Sequence, residues 1–262
     1  MASLCAYAQG ADDREFLAHY YGAILHREAS AAEQDRWLRE VERVRKQGMR
    51  MDEAWFGVAE ALFSSEEYRS RAVPDAGYAA DVHGAFLDAA AGESTLAAWT
   101  ARLRNGTPRL DLRTEVMFSD GSLHRMRRIY GDFVTRAEVD FVADLYRGLL
   151  ARLPEDQGFD HWVSLLRKAQ CRGSRVVGGL ANEISRRFVA GSEYAGRRRT
   201  NRDFVADLRS AFGRGAIDAT RDRAWVSQLD AGLITREDVR ATLFESDPVR
   251  ARLEAIVQQC PT

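Results

Sequence analysis

Two loops place acidic residues at short spacing beside an arginine, and these are the side chains of the 262-residue chain best suited to ligand chemistry. Grouped carboxylate oxygens suit calcium, and arginine favours bidentate contacts with carboxylates. The residue order of an EF-hand is lacking, and the same acids suit helix N-capping, which the sequence favours over calcium binding. The candidate ligand-binding residues are Arg27, Glu28 and Asp35 in the first loop, which also contains Glu33, and Arg152, Glu155, Asp156 and Asp160 in the second.

Catalysis needs convergent groups, such as a nucleophile beside a base or two opposed carboxylates. The HExxH, GxSxG and P-loop patterns do not occur in the sequence. The five histidines are scattered, and His19 and His26 would lie about two turns apart on one helix. We therefore predict that the chain has no catalytic residues, is not an enzyme, and needs no metal or other cofactor, calcium excepted. An active site between two halves of the chain is the alternative.

Composition narrows the range of partners. The formal net charge is −1 and the isoelectric point is near 6.5. A dedicated nucleic-acid binder usually carries a basic excess over its whole domain, so nucleic acid is not the expected partner. No apolar run approaches the roughly 20 residues that a bilayer-spanning helix needs, so we expect no membrane span.

The cysteines and the N-terminal residues bear on whether the protein is exported from the cytoplasm. Cys5, Cys171 and Cys260 lie too far apart for a CxxC zinc site. They fit either reduced thiols or, in an exported protein, one disulfide and a free thiol, with Cys171 and Cys260 as a candidate pair. Ala6-Tyr7-Ala8 has the form of a signal-peptidase site, but the segments that should precede it are missing. The start is therefore either an ordinary tail or the stub of a signal peptide.

An internal repeat organises the chain. Four times, an aromatic residue opens a helical segment and a tryptophan follows 21 residues later, so that these tryptophans are spaced 62, 63 and 63 residues apart. Apolar neighbours at helical spacing favour a core position for the tryptophans over an exposed stacking surface. The predicted repeat-core pairs are Phe16 with Trp37, Tyr78 with Trp99, Phe141 with Trp162, and Phe204 with Trp225.

Each repeat closes with a serine signature, and the spacing of that signature alternates. The distance from tryptophan to closing serine is 28, 20, 30 and 21 residues in the four repeats. This long–short alternation indicates that a two-repeat ancestor was duplicated, giving two similar halves that part near residues 128–135. The predicted division is an N-terminal tail over 1–12 and helical units over 13–73, 74–134, 135–199 and 200–262.

The periodicity inside a repeat is helical. In the third repeat, apolar side chains from Phe141 to Leu150 form one stripe, and Leu153-Pro154 ends that helix. Thr135 and Glu138 have the spacing of a capping box at its start.

A second helix carries Trp162, and a third spans Val176 to Val189. Asn105-Gly106 is interpreted as a helix C-cap, and period-2 strand signals are absent from the sequence. We therefore predict an all-α fold of four tandem three-helix units arranged as two similar halves.

The third repeat reads Leu145-Tyr-Arg-Gly-Leu-Leu-Ala-Arg152-Leu-Pro154-Glu-Asp-Gln-Gly158, followed by Trp162 and Ser192-Glu-Tyr194. This pattern resembles the bacterial family called domain of unknown function 4214, which is similar to the linker domains of phycobilisomes. The first repeat matches well, whereas the second and fourth lack the Arg-Glu-Pro-Asp loop of the family. The resemblance implies a helical bacterial interaction module, often found in secreted or surface proteins or beside carbohydrate-active domains.

Repeat and resemblance together give the functional expectation. We predict a non-catalytic helical repeat module that mediates protein–protein interaction or scaffolding, with a protein partner, at the bacterial surface. A secreted or cell-surface location is favoured over a cytoplasmic one. The alternative is a calcium-assisted glycan-binding module that uses the acidic loops. The oligomeric state is left open.

Overall fold

The computed structural model describes residues 12–88, 91–214 and 219–261. Within these ranges the regular structure is helical and no strand occurs, which confirms the all-α prediction. None of the helices there is long and apolar enough to cross a bilayer. Cys5 and the Ala6-Tyr7-Ala8 motif lie outside the described residues. The chain divides into two compact halves, Met1–Val134 and Thr135–Thr262.

The N-terminal half contains the first two repeats, each built from four helices. The first repeat comprises α1 (12–20), α2 (Ala31–Lys46), α3 (Met51–Phe63) and α4 (Glu66–Ser70); the second comprises α5 (Asp75–Phe86), α6 (Glu93–Arg104), α7 (Arg109–Met117) and α8 (Asp120–Tyr130).

The C-terminal half follows the same order. The third repeat comprises α9 (Ala137–Leu145), α10 (Asp156–Ala169), α11 (Ser174–Ala190) and α12 (Ser192–Gly196); the fourth comprises α13 (Asn201–Gly213), α14 (Ala219–Asp230), α15 (Arg236–Phe244) and α16 (Asp247–Gln258).

The fourth helix of each repeat is one more than the three that the sequence predicts. It arises because the closing signature starts a helix of its own. The hydroxyl oxygen of Ser65 accepts a hydrogen bond from the backbone N–H of Tyr68 at 3.1 Å, and Ser119 accepts one from Ser122 at 3.4 Å. A serine in this N-cap position satisfies a backbone donor that the first helical turn leaves unpaired.

The leading helix of each odd repeat ends in a π-helical turn. These turns span Tyr21–Leu25 after α1 and Tyr146–Leu150 after α9. Each is followed by a residue in the left-handed region, His26 with φ 58° and Ala151 with φ 53°. A π turn shifts the helix register locally, and such turns are frequent at functional sites. The same irregularity therefore precedes the arginine-containing loop in both halves.

Small residues allow the leading helices of the C-terminal half to cross closely. A Cβ atom on Gly148 would lie 2.4 Å from the backbone nitrogen of Ala211 in α13, so only glycine fits there. In the N-terminal half the contact is looser, since a Cβ on Gly84 would lie 3.5 Å from the Cβ of Ala23. The glycine thus lies in the π turn after α9 in the C-terminal half, but on α5, the leading helix of the second repeat, in the N-terminal half.

The leading aromatics form the core as predicted, but most of the repeated tryptophans do not. Phe16, Tyr78, Phe141 and Phe204 are all buried. Trp225 is buried as well, whereas Trp37, Trp99 and Trp162 are only half-buried. The fully buried tryptophan of the N-terminal half is Trp55, which packs on Phe16 with the ring centroids 5.1 Å apart. Apolar neighbours in sequence therefore do not decide how deeply a tryptophan lies.

The sequence predicts three helix ends, and the leading helix of the third repeat ends with its π turn at Leu150, before Leu153-Pro154. Asn105 is the C-cap of α6 and Gly106 follows with φ 90°, as expected. The capping box at Thr135 and Glu138 does not form, because α9 begins at Ala137. Glu138 instead accepts a hydrogen bond from Arg167 at 2.9 Å.

A disulfide joins Cys171 to Cys260, which is one of the alternatives that the sequence leaves open. The bridge links residues 89 positions apart. It connects the turn after α10 with the residue that follows α16. Beside it, the side-chain amide of Gln170 donates to the carbonyl oxygen of Gln259 at 2.5 Å. The segment that follows the last helix is therefore attached covalently to the turn between α10 and α11.

A charged cluster packs beside the leading helix of the third repeat. The carboxylate of Asp144 is fully buried, and it pairs with Arg147 at 2.6 Å, with Arg214 at 2.8 Å, and with Arg252. Burial alone would raise the pKa of Asp144, but the three guanidinium groups hold it well below its ordinary value.

The corresponding cluster of the N-terminal half has its charges rearranged. Arg125 occupies the position of Arg252, since each lies six residues after its closing serine and donates to the carbonyl of the matching alanine, Ala85 or Ala211. Arg125 pairs with Asp88 at 2.8 Å, at the sequence position of Arg214. His19 stands where the other half has Asp144. The acidic residue of the cluster therefore follows α5 in the N-terminal half, whereas it lies on α9 in the C-terminal half.

Candidate functional site

The loop of the first repeat closes around Arg27. Its guanidinium donates two hydrogen bonds to Glu33, at 2.9 and 2.7 Å, and two to Glu67, at 2.6 and 2.7 Å. The guanidinium also lies 5.1 Å from the ring centroid of Tyr21 in the π turn. We call Arg27, Glu33 and Glu67 the N-terminal clamp. It joins the loop to α2 and to α4.

The third repeat contains a matching C-terminal clamp, which consists of Arg152, Glu155 and Glu193. Arg152 donates to Glu155 at 2.6 Å and makes two bonds to Glu193, at 2.6 and 2.8 Å. Its guanidinium lies 5.0 Å from the ring centroid of Tyr146, whose hydroxyl donates to Glu155 at 3.0 Å. The clamp joins the loop to α10 and to α12.

The clamps shift the pKa values of their members. Hydrogen bonds from Arg27 are the largest cause of the lowered pKa values of Glu33 and Glu67. Burial alone would raise the pKa of Glu155, but hydrogen bonds from Arg152 lower it overall. The pKa of Arg152 is raised, chiefly by its bonds to Glu193. The lowered pKa values keep the carboxylates of Glu33, Glu67 and Glu155 ionised at neutral pH.

A second contact anchors each closing helix. The Tyr68 hydroxyl donates to Asp81 in α5 at 2.8 Å, and the Tyr194 hydroxyl donates to Asp207 in α13 at 2.8 Å. The partners of the two aspartates differ. Asp81 accepts from His26 at 2.7 Å, whereas Asp207 accepts two bonds from Arg199. The aromatic and acidic residues of the closing signature thus both hold the loop region together.

The structure brings some of the predicted ligand-binding residues together and leaves others exposed. Arg152 and Glu155 meet in the C-terminal clamp, whereas Arg27 meets Glu33 and contacts Glu28 through its carbonyl oxygen, at 3.0 Å. The side chains of Glu28 and Asp35 are exposed, as are those of Asp156 and Asp160.

Helix capping accounts for Glu33, which forms a capping box with Ser30. Among residues 12–88, 91–214 and 219–261, no three histidine, cysteine or acidic side chains are grouped so that they could hold a metal ion. Calcium as a cofactor stays a prediction.

Each odd repeat carries a half-buried tryptophan in the helix that follows its clamp loop. Trp37 donates its indole N–H to the Tyr21 hydroxyl at 3.1 Å, and the Arg36 guanidinium lies 4.7 Å from its ring. Trp162 stacks edge-on with His161, with the ring centroids 4.6 Å apart. The indole of Trp37 thus contacts the tyrosine of its clamp directly, whereas Phe188 lies between Trp162 and Tyr146, with its ring centroid 6.2 and 5.0 Å from theirs.

Sequence reasoning missed the roles of Glu67 and Glu193. Both belong to the closing serine signature, about 40 residues after the arginine they bind. The signal was present, because the odd repeats alone combine an arginine loop with a glutamate directly before the closing tyrosine. Reading the loop and the signature as one ion-pair network would have found the clamps.

The C-terminal half also contains a cavity of about 260 Å³ between α13, α14, α15 and the start of α16. Phe212, Trp225, Leu243 and Val249 contribute apolar walls. The polar contribution comes from Arg209 and Asp222, which form an ion pair, and from Arg221, whose guanidinium lies 4.6 Å from the Trp225 ring centroid. The sequence singled out Trp225 and Ser246 as repeat residues, but it did not predict a ligand site here.

Gly213 is the residue that leaves this cavity open. A Cβ atom on Gly213 would meet nothing within 4 Å. The same position of the second repeat, nine residues after the leading aromatic, is Leu87, whose side chain approaches Gly121 in α8. The duplicated positions 87 and 213 thus differ by one leucine side chain.

Comparison of the chain with protein-family models, with curated proteins and with solved structures finds no match. The resemblance of the third repeat to domain of unknown function 4214 therefore rests on the residues quoted for it.

Proposed function

We propose that this chain is a non-catalytic helical repeat module of the domain of unknown function 4214 type, which binds a protein partner or acts as a scaffold at the bacterial surface. The observation that carries the proposal is the duplicated clamp. Both odd repeats use one arginine, two glutamates and a π turn to hold a loop that exposes acids beside a half-buried tryptophan.

The clamps support a binding role because they make the loops rigid. Two carboxylates satisfy most of the donors of each guanidinium, and the tyrosine ring covers one face of it. A loop held in this way loses little conformational entropy when a partner binds. Trp37 and Trp162, partly accessible beside the loops, are of the residue type that most often dominates the binding energy of protein interfaces.

The disulfide between Cys171 and Cys260 supports a location outside the cytoplasm. Disulfides form and persist in oxidising compartments and are rare where glutathione keeps thiols reduced. A module that works at the cell surface or after secretion would keep this bridge. The compartment is thus consistent with the surface role that the resemblance implies.

Site-directed photo-cross-linking in the source bacterium would test the partner surface. A photoreactive residue at position 35 or 160 should give a discrete adduct with another protein, and Trp37→Ala or Trp162→Ala should abolish the matching adduct. Asp247, whose side chain is 99% exposed, provides the control position. Adducts that form equally well from position 247, or that survive both tryptophan substitutions, would contradict the proposed surface.

Glycan binding is the second candidate, and the exposed acids beside Trp162 favour it. An indole face next to carboxylates suits a sugar ring, with calcium as an optional bridge. A ligand that binds the folded state must raise the unfolding midpoint by mass action. A rise with oligosaccharides that disappears in Trp162→Ala and with EDTA would favour this candidate over a protein partner.

A further inference from the structure

We propose that the cavity between α13, α14 and α16 binds a small carboxylic acid with one apolar ring, in the size range of phenylacetate. The proposal concerns a different surface from the clamps and does not depend on a protein partner. It rests on the volume of the cavity, its apolar walls and the charges at its lining.

The volume suits a molecule of about ten non-hydrogen atoms. An apolar cavity of about 150 Å³ accepts benzene, so a cavity of about 260 Å³ has room for a ring with a short acidic substituent. The walls suit the ring. Phe212 is fully buried and Trp225 nearly so, and both line the cavity together with aliphatic Leu243 and Val249. Ring contacts with aromatic walls add to the burial of apolar area.

The charged groups suit a carboxylate. Two guanidinium groups, Arg209 and Arg221, line the cavity with one carboxylate, Asp222. Arg209 is buried and pairs with Asp222, which places it in the wall. Arg221 is exposed and lies over the Trp225 ring, so its charge stands at the mouth of the cavity. A ligand with its ring inside and its carboxylate at the mouth would keep its charge beside Arg221 and in contact with water.

The corresponding positions of the second repeat lack the open glycine and the charged side chains of this cavity. At the positions of Gly213, Arg209 and Asp222, the second repeat has Leu87, His83 and Leu96. A leucine stands at the position of Gly213, and neither guanidinium nor carboxylate remains at these three positions. These three residues that line the cavity are therefore not repeated in the second repeat.

Isothermal titration of the full chain with phenylacetate tests the proposal, with phenylacetamide as the uncharged control. We expect saturable binding with a Kd on the order of 0.1–1 mM, which is ordinary for a ligand of this size. Gly213→Leu should abolish binding because it introduces the side chain that the other half has. Arg221→Gln, a surface substitution, should weaken phenylacetate about tenfold and leave the amide unchanged.

Three results would overturn the proposal. They are the absence of saturable phenylacetate binding to the wild-type chain, unchanged binding to the Gly213→Leu variant, and equal affinity for acid and amide. Circular dichroism shows whether Gly213→Leu is folded. If it is not, Arg221→Gln decides, and unchanged affinity for phenylacetate in that variant would also overturn the proposal.

Discussion

Arg152 occupies in the C-terminal half the position that Arg27 occupies in the N-terminal half, 125 residues earlier. Each guanidinium lies over a tyrosine of the preceding π turn and bridges two glutamates from different helices. Exposed ion pairs contribute little when isolated, but a bidentate arginine that joins two carboxylates forms a network of the kind that is measurable.

Replacing the clamp arginine should loosen the loop. We expect Arg152→Ala to lower the free energy of unfolding by about 1 kcal/mol, a value that allows for the partial exposure of the side chain. Urea denaturation followed by circular dichroism measures this difference. Arg152→Lys serves as the control, because lysine keeps the charge but cannot form the bidentate pair with Glu193 while it also binds Glu155. Full recovery of stability with lysine would mean that charge alone matters.

The clamps should also make stability depend on acid pH. The pKa values of Glu33 and Glu67 are lower in the folded chain than their ordinary value of about 4.3, so between the two values the unfolded state binds more protons. Their contribution is therefore complete above the ordinary value and is lost as the pH falls below it. We expect Glu67→Gln to destabilise the chain at pH 7, and we expect its difference from wild type to be smaller at pH 3.

Glu66→Gln is the matched control for that experiment. Glu66 precedes Glu67 but is 84% exposed and forms an ion pair with Arg69 three residues away. Its substitution should change stability little at either pH. A pH dependence of Glu66→Gln as large as that of Glu67→Gln would show that the effect comes from the overall charge and not from the clamp.

The close helix crossing of the C-terminal half should tolerate no side chain. Gly148→Ala would place a Cβ 2.4 Å from the backbone of Ala211, and we expect a loss of about 2 kcal/mol in unfolding free energy. Gly84→Ala is the counterpart in the N-terminal half. Its Cβ finds ordinary contact at 3.5 Å, so the gain in helix propensity should stabilise that variant by up to about 1 kcal/mol. Equal effects of the two substitutions would contradict the difference in packing.

Reduction of the disulfide should destabilise the C-terminal half. The chain-entropy relation gives about 4–5 kcal/mol for a closed loop defined by a separation of 89 residues. Thermal unfolding with and without reductant measures the shift, and the double variant Cys171→Ser/Cys260→Ser should show no response to reductant. An unfolding midpoint of the wild-type chain that reductant leaves unchanged would argue that the two thiols are not joined in solution.

The sequence predicted the features that depend on periodicity. Helical spacing predicted the all-α fold, and the leading aromatics were predicted to lie in the core. The burial of the tryptophans could not be derived in the same way, because Trp37 and Trp162 have apolar neighbours in sequence yet are only half-buried. The capping box at Thr135 and Glu138 does not form because α9 begins at Ala137, and Glu138 accepts a hydrogen bond from Arg167 of α10.

The sites were harder to predict than the fold. Arg27 and Arg152 were identified, but their partners Glu67 and Glu193 lie about 40 residues further along the chain, where no local spacing rule applies. The cavity at Gly213 depends on a single difference between duplicated positions. Such a difference has no pattern of its own and is recognised only when the surrounding helices are seen in three dimensions.

The exchanged charges around Arg125 and Arg252 bear on how a duplicated chain avoids misassembly. Halves of similar sequence can trade equivalent helices during folding, a characteristic failure of tandem proteins. If α1 took the place of α9, His19 would meet Arg214 and Arg252 without the carboxylate of Asp144. If α9 took the place of α1, Asp144 would meet Asp88. Each leading helix thus carries at this position a side chain that suits the charges of its own half, and this difference opposes an exchange of the two helices.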